Sequence, residues 1–201
     1  MSQRTSLPYS LVAALGLAVT LGSGACASAP TQGHIVLDES LHQPYDVGGL
    51  APAMGWSCGT LDCHGNPGRN LRLYSQYGLR LGATDTPGGM PITQSEIDAD
   101  YRSTSALEPE IMNQVIADGG AHPERLTLIR KARGTEHHKG GAVTSPPADP
   151  SVVIDCDPAN PDFKLPVLSS GEYLDTCLTK WLANAPTDKF SCYCDAASQP
   201  P

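Results

Sequence analysis

Apolar residues in this chain fall into a few short groups separated by stretches of glycine, proline and polar residues, and the spacing inside each group indicates its element. Leu11 to Leu21 is an apolar run with small residues; Arg4 precedes it, and it is too short to hold as a membrane span. Residues 27–52 show little periodicity and predict a tether with a loosely structured lead-in. Leu71 and Leu73, then Leu79 and Leu81, alternate with Arg72 and Arg80, and this period of two predicts a small β-hairpin near residues 70–82. Leu107, Ile111, Val115 and Ile116 recur at helical spacing within residues 105–117, with Pro109 in the first turn and Gly119-Gly120 as the stop. A second short helix is expected over residues 123–131 on Leu126, Leu128 and Ile129, followed by a long connection over 134–161. The clearest helix spans 172–185, where Leu174, Leu178, Trp181 and Leu182 form one stripe that Pro186 ends. No internal repeat or second domain emerges, so the pattern predicts one mainly α domain with long loops.

Composition sharpens this outline. Two phenylalanines, two tryptophans, 20 glycines and 18 prolines leave a thin apolar supply for 201 residues, so a bound macrocycle or covalent cross-links would have to supplement the core. The net charge of −8, with no basic stripe interleaved with aromatics, argues against nucleic acid as a partner. At the front, Leu21-Gly-Ser-Gly-Ala25-Cys26 resembles a bacterial lipobox, which implies a signal peptide over 1–26 and a lipid-bearing Cys26 after cleavage. Ordinary signal cleavage near Ala27 or Ala29 is the competing expectation. Either way the domain proper is placed at 53–201, outside the cytoplasm, and with the lipid it sits at a membrane surface.

The most informative segment is Cys58-Gly-Thr-Leu-Asp-Cys63-His64-Gly65. Two cysteines followed at once by a histidine is the arrangement that attaches haem covalently: the thiols add to the vinyl groups, and the imidazole becomes an axial ligand. Four residues separate the cysteines where two are usual. A Cys58–Cys63 disulfide, or a zinc site formed with His64 and His137 or His138, are the other chemistries these side chains allow. The seven cysteines divide evenly on the haem reading: Cys26 takes lipid, Cys58 and Cys63 take haem, and Cys156, Cys177, Cys192 and Cys194 remain for two disulfides in an oxidising compartment. Cys177 is expected to bond one of Cys192 and Cys194, and Cys156 the other. No Gly-x-Ser-x-Gly, Gly-x-Gly-x-x-Gly or P-loop motif occurs and the carboxylates are scattered, so no catalytic role is expected.

Several segments together resemble the cytochrome c-like domains of exported bacterial lipoproteins and cell-surface proteins: Cys63-His64-Gly65, Gly78-Leu-Arg-Leu81, Pro123-Glu-Arg-Leu-Thr-Leu128, His138-Lys-Gly140-Gly141 and Cys177-Leu-Thr-Lys-Trp181-Leu182. They occur in the family's order as islands over roughly residues 55–185; the cysteine spacing is the departure. The resemblance implies a cytochrome c-like fold, covalent haem c on Cys58, Cys63 and His64, and Trp181 near the macrocycle edge. Met90 follows Gly88-Gly89 and His138 precedes Gly140-Gly141, so both have the local freedom to approach a flat ring. The resemblance favours His138 as the second axial ligand. Arg72 and Arg80 are candidate partners for haem carboxylates, with a solvated strand face as the simpler expectation. The function implied is a membrane-anchored mono-haem cytochrome passing single electrons to redox proteins of the cell envelope. The reading from a different class is a haemless, disulfide-stapled surface lipoprotein that binds or supports other molecules.

Overall fold

A computed structural model describes residues 41–47, 49–82 and 85–199. The signal segment, Cys26 and residues 27–40 lie outside the described residues. The architecture is mainly helical, with α1 (His42–Val47), α2 (Leu50–Ser57), α3 (Gln94–Ser105), α4 (Pro109–Ala117), α5 (Thr127–Ala132), α6 (Ser170–Leu182) and α7 (Ser191–Ala197). Helix α6 is the central member, packed against α7, α2 and α4.

Local chemistry accounts for the helix ends. Thr93 and Glu96 form a capping box that opens α3, and Ser169 and Glu172 form another that opens α6. In each, side chains satisfy amides that the first helical turn leaves without partners. Pro109 begins α4, where its missing N–H costs nothing. The stripe expected on the last helix is the core itself: Leu174, Leu178, Trp181 and Leu182 are all buried. Trp181 is fully buried, donates Nε1–H to the Leu41 carbonyl at 3.0 Å, and meets the Tyr45 ring edge-on at 5.4 Å.

That contact revises the expected tether. Residues 41–52 are not a lead-in: Leu41, Tyr45, Leu50 and Ala51 are completely buried, and two helices form there. The expected helix over 105–117 also begins elsewhere. Helix α3 ends at Ser105, and α4 starts at Pro109. The segment over 123–131 divides into a 3₁₀ turn (Pro123–Arg125) and α5, because Leu126 is extended at ψ 131°.

The hairpin is absent. Among the described residues the only pairing of this type is one isolated parallel bridge, Tyr74 to Leu79. The alternation survives as burial, since Leu71, Leu73 and Ser75 are inside while Arg72 is exposed. The ladder fails because the amides of this stretch find other acceptors. Arg72 N–H donates to Ser103 Oγ at 2.9 Å and Tyr74 N–H to Asp100 Oδ1 at 2.6 Å, both on α3, while Leu73 N–H donates to the His64 carbonyl at 2.9 Å. Leu81 turns outward, its N–H bonded to Glu96.

Two disulfides staple the C-terminal third: Cys177–Cys194 joins α6 to α7, and Cys156–Cys192 fastens the long connection to α7. This is the pairing expected, Cys177 with one of the closely spaced cysteines and Cys156 with the other. Among the described residues no helix is long and apolar enough to cross a membrane.

Candidate functional site

The cysteine–histidine loop grows directly out of α2. Cys58 closes that helix, its N–H donating to the Met54 carbonyl at 2.7 Å. The four intervening residues fold into a turn, with Cys63 N–H on the Thr60 carbonyl, and His64 N–H returns to the Cys58 carbonyl at 2.9 Å. The extra length is thus taken up locally and residue 64 is brought back beside residue 58. Backbone crowding fixes this turn. A Cβ on Gly65 would lie 2.1 Å from the Gly59 carbonyl oxygen and one on Gly78 would lie 1.8 Å from it, so only glycine fits at either position. Ser75 Oγ–H donates to the same oxygen at 2.6 Å.

Cys58 and Cys63 are both free thiols, so the disulfide alternative for this pair is not formed. Burial, and secondarily the nearby Cys63, push the Cys58 thiol up to about 12. It is a neutral thiol throughout the physiological range. No three His, Cys, Asp or Glu side chains converge as a metal cluster among the described residues, so the zinc grouping of Cys58, Cys63 and His64 with His137 or His138 is not assembled.

A cavity of about 440 Å³ opens beside the loop, within the range usual for small-molecule and cofactor sites. Cys58 and His64 form one wall; Leu107, Leu128 and His138 are among the residues that complete it. His138 arrives on a loop hung from α5. Val143 and Thr144 N–H groups both donate to the Ala132 carbonyl, at 2.8 and 3.0 Å, closing the loop where it leaves the helix. Lys131 Nζ donates to the His137 carbonyl at 3.1 Å and pairs with Glu136 at 3.0 Å, fixing the descent to His138. Gly141 is left-handed at φ 74°, and its carbonyl turns back onto His138 Nδ1 at 2.9 Å. Helix α5 is itself positioned by Glu108, whose carboxylate accepts from Thr127 N–H and Oγ–H at 2.6 and 2.8 Å.

The His64 and His138 rings are 5.9 Å apart between centroids, and their planes lie within 16° of parallel. His64 Nδ1 faces the Leu71 carbonyl at 3.0 Å, as His138 Nδ1 faces that of Gly141. A carbonyl only accepts, so Nδ1 is the donor in each ring, which leaves Nε2 with the lone pair in the neutral tautomer. Burial is the main cause that lowers the His64 pKa; the Leu71 bond opposes it, and the neighbouring His138 and Arg69 add to the lowering. These hydrogen bonds select the tautomer that leaves Nε2 free as a donor atom.

The other candidates fall outside this cavity. Met90 is 71 % exposed and lines none of it. His137 is exposed, with its carbonyl bound by Lys131. Arg80 is neither solvated nor at the cavity: its guanidinium is buried against Glu96 at 2.9 Å and also donates to the Met90 and Pro91 carbonyls. Arg72 is exposed and donates to the Pro67 carbonyl. Trp181 packs on Leu41 and Tyr45, away from the cavity lining. The cationic residues that do line the cavity are Arg69 and Lys131, which the sequence reading did not single out. Arg69 Nε and Nη2 donate to the Cys63 and Asp62 carbonyls, tying it to the cysteine–histidine loop. Its place five residues beyond His64, without alternating apolar neighbours, gave no periodic signal.

No family model matches this chain, and no curated protein or solved structure matches it either.

Proposed function

We propose that this chain is a mono-haem c-type cytochrome that carries single electrons in the cell envelope, with a cytochrome c-like arrangement of its helices around the cavity. The observation that carries the reading is the His64–His138 pair, which lines one cavity together with Cys58. The donor set fits the group. His64 and His138 are the two imidazoles in the cavity lining, with ring centroids 5.9 Å apart, and would be the residues to hold the iron. The cavity wall is apolar at Leu71, Leu107, Leu128 and Val143, as a macrocycle face requires; Cys58 lines it as a free thiol, while Cys63, also free, lies outside the lining.

Bound there, haem would supply a one-electron couple. The chain's own residues do the rest. Cys58 and Cys63 would hold the macrocycle by thioether bonds, and His64 and His138 would offer Nε2 to its iron. The Leu71 and Gly141 carbonyls orient those two rings. Two histidine ligands, in place of a histidine and a methionine, would favour a low potential. The two disulfides accord with an exported domain, and a lipid on Cys26 would keep it at a membrane.

Expression in a bacterial host with a c-type haem-attachment system tests this directly. The purified protein should be red, with a Soret band and haem that survives acid-acetone extraction. A colourless product would replace the reading with that of a haemless, disulfide-stapled surface module.

A further inference from the structure

Helix α2 ends in Gly55-Trp56-Ser57, and its last turn lines a separate pocket of about 200 Å³ that shares no residue with the cysteine–histidine cavity. Gly55 brings the helix close to the segment after Leu73, where a Cβ on the glycine would stand 3.1 Å from that of Ser75. The Trp56 and Tyr77 rings meet edge to face there, with centroids 5.1 Å apart and planes at 81°. Gln76 holds the rim by two bonds: its carbonyl accepts from Gly88 N–H at 2.6 Å, and its Nε2 donates to the Gly89 carbonyl at 3.1 Å. Arg80, neutralised by Glu96, donates to the Met90 and Pro91 carbonyls and so places Pro91 and Ile92 in the wall. Ser198, which caps the end of α7, completes the pocket. The walls are thus set by bonds already made within the protein.

None of the lining residues is Asp, Glu, Lys, Arg or His. Among the described residues, the Trp56 indole N–H and the Tyr77 hydroxyl have no hydrogen-bond partner within the protein. Because a carbonyl only accepts, Gln76 spends its Nε2 on Gly89 and keeps Oε1 as an acceptor. Ser198 gives its proton to the Cys194 carbonyl at 2.8 Å and keeps its lone pairs. Aromatic rings beside both donors and acceptors select an uncharged ligand with an apolar face and polar edges. We propose that this pocket is a carbohydrate subsite that holds one N-acetylated pyranose ring. The C–H face of the sugar packs on the aromatic pair, the acetamido N–H reaches Gln76 Oε1, and the acetamido carbonyl accepts from Trp56 or Tyr77. The acetyl methyl meets Pro91 and Ile92. The volume is below the roughly 300–1,000 Å³ of drug-sized sites, which suits a single ring. A proline-rich peptide also packs on such rings, but its prolines bring no N–H for Gln76 or Ser198. The inference is independent of the cytochrome reading.

The test follows the indole N–H resonances of the isotope-labelled full chain by NMR during titration with the methyl glycoside of N-acetylglucosamine. The chain has two tryptophans, and Trp181, fully buried with its N–H on the Leu41 carbonyl, is the internal control. The Trp56 resonance, identified by its loss in W56F, should shift with the sugar while that of Trp181 stays in place. At about 10 mM sugar a site of millimolar Kd is close to saturation. Methyl glucoside, which lacks the acetamido group, should bind about tenfold more weakly, and Q76L should abolish that preference. Tyr77 is 45 % exposed, so Y77F leaves the fold intact and should weaken binding about fivefold, as one lost hydrogen bond warrants. Tri-N-acetylchitotriose, run alongside, tells a free sugar from the end of a glycan; equal affinity assigns the first and tighter binding the second, and either upholds the site. A Trp56 resonance unmoved by every sugar overturns the proposal. So does an equal response to the two methyl glycosides, or a response confined to a hexaproline peptide, which would make the pocket a seat for a proline-rich partner.

Discussion

His64 and His138 present nearly parallel rings 5.9 Å apart, each with Nδ1 bound to a backbone carbonyl. One stands on the turn that leaves α2, the other on a loop returning to α5, so the pair is a product of tertiary structure. On the proposed cytochrome reading, replacing His138 by Ala should leave haem covalently attached but move the Soret and α bands to a five-coordinate spectrum. Met90→Leu should leave the spectrum unchanged. An H138A spectrum like that of wild type, together with a ferric charge-transfer band from sulfur ligation, would transfer the ligand role to Met90.

Arg80 and Glu96 form a buried pair, with side chains 2 % and 0 % exposed. Arg80 is the largest favourable influence on Glu96, and amide and hydroxyl bonds from Leu81 and Thr93 assist; together they overcome the opposing desolvation and hold Glu96 down at about 2. The folded-state value is depressed, so its stabilisation is complete above the ordinary carboxylate value of 4.5 and is lost as pH falls towards 2. Glu96→Gln leaves the guanidinium with two carbonyls and the more distant Asp85 at 3.9 Å, and should cost about 3 kcal/mol at neutral pH. Urea unfolding at pH 7 and pH 3 checks both statements, with the gap between variant and wild type narrowing at the lower pH.

Asp100 responds in the opposite sense. It is fully buried on α3; its Oδ1 accepts from Tyr74 N–H, and its Oδ2 has no partner. Burial raises its pKa from 3.8 to about 8; the Tyr74 bond opposes the rise and Glu96 adds to it. Between those values the folded carboxyl is protonated while the unfolded one is ionised, so this group lowers stability progressively from pH 4 to pH 8. Asp100→Asn mimics the neutral form. Its melting temperature should match wild type near pH 4 and exceed it at pH 8; a variant less stable at pH 8 would contradict this.

How much of this was legible depended on where polar groups were buried. The α6 stripe was clear because Leu174, Leu178, Trp181 and Leu182 are apolar at helical spacing, and the cysteine pairing followed from the proximity of Cys192 to Cys194. Helix α3 was missed because its inner face is largely polar, with Glu96, Asp100 and Thr104 buried beside Ile97 and Tyr101. Those side chains then took the amides that a hairpin would have used. Helix α2 hid behind Pro52 and Gly55 in Leu50-Ala-Pro-Ala-Met-Gly-Trp-Ser57. At the site, His64 and His138 were readable as ligand types with glycine neighbours. Arg69 and Lys131 were not, because their place at the cavity depends on how α5 and the loop after His64 come together.

The disulfides should contribute unequally to loop closure. Cys156–Cys192 spans 36 residues and Cys177–Cys194 spans 17, so chain entropy alone ranks the first higher, with each worth about 2–4 kcal/mol. Cys177 and Cys194 are completely buried, however, and serine there would put two hydroxyls into the α6–α7 interface. C177S/C194S should therefore be the more damaging pair, measured by denaturant midpoint. Equal midpoints would show that loop entropy and the buried hydroxyls offset each other.

The last prediction separates the scaffold from the site. Trp181 joins α6 to the N-terminal helices through the Leu41 carbonyl and the Tyr45 ring, and it lines no part of the cavity. Trp181→Phe removes the N–H donor, leaves a buried carbonyl without its partner, and opens a small void. The carbonyl alone should cost about 1–3 kcal/mol, and the lost ring volume adds to that. Because the cavity is walled by α5, the loop after α2 and the His138 loop, none of this should reach a haem bound there on the proposed reading. W181F should lower the unfolding midpoint while its Soret and α bands, and its reactivity with ferricyanide, stay at wild-type values. A spectral change in W181F that persists where the protein is fully folded would place Trp181 at the macrocycle edge after all, where the resemblance to cytochrome c-like domains had put it. An unchanged midpoint would refute the claim that Leu41 and Tyr45 belong to the core.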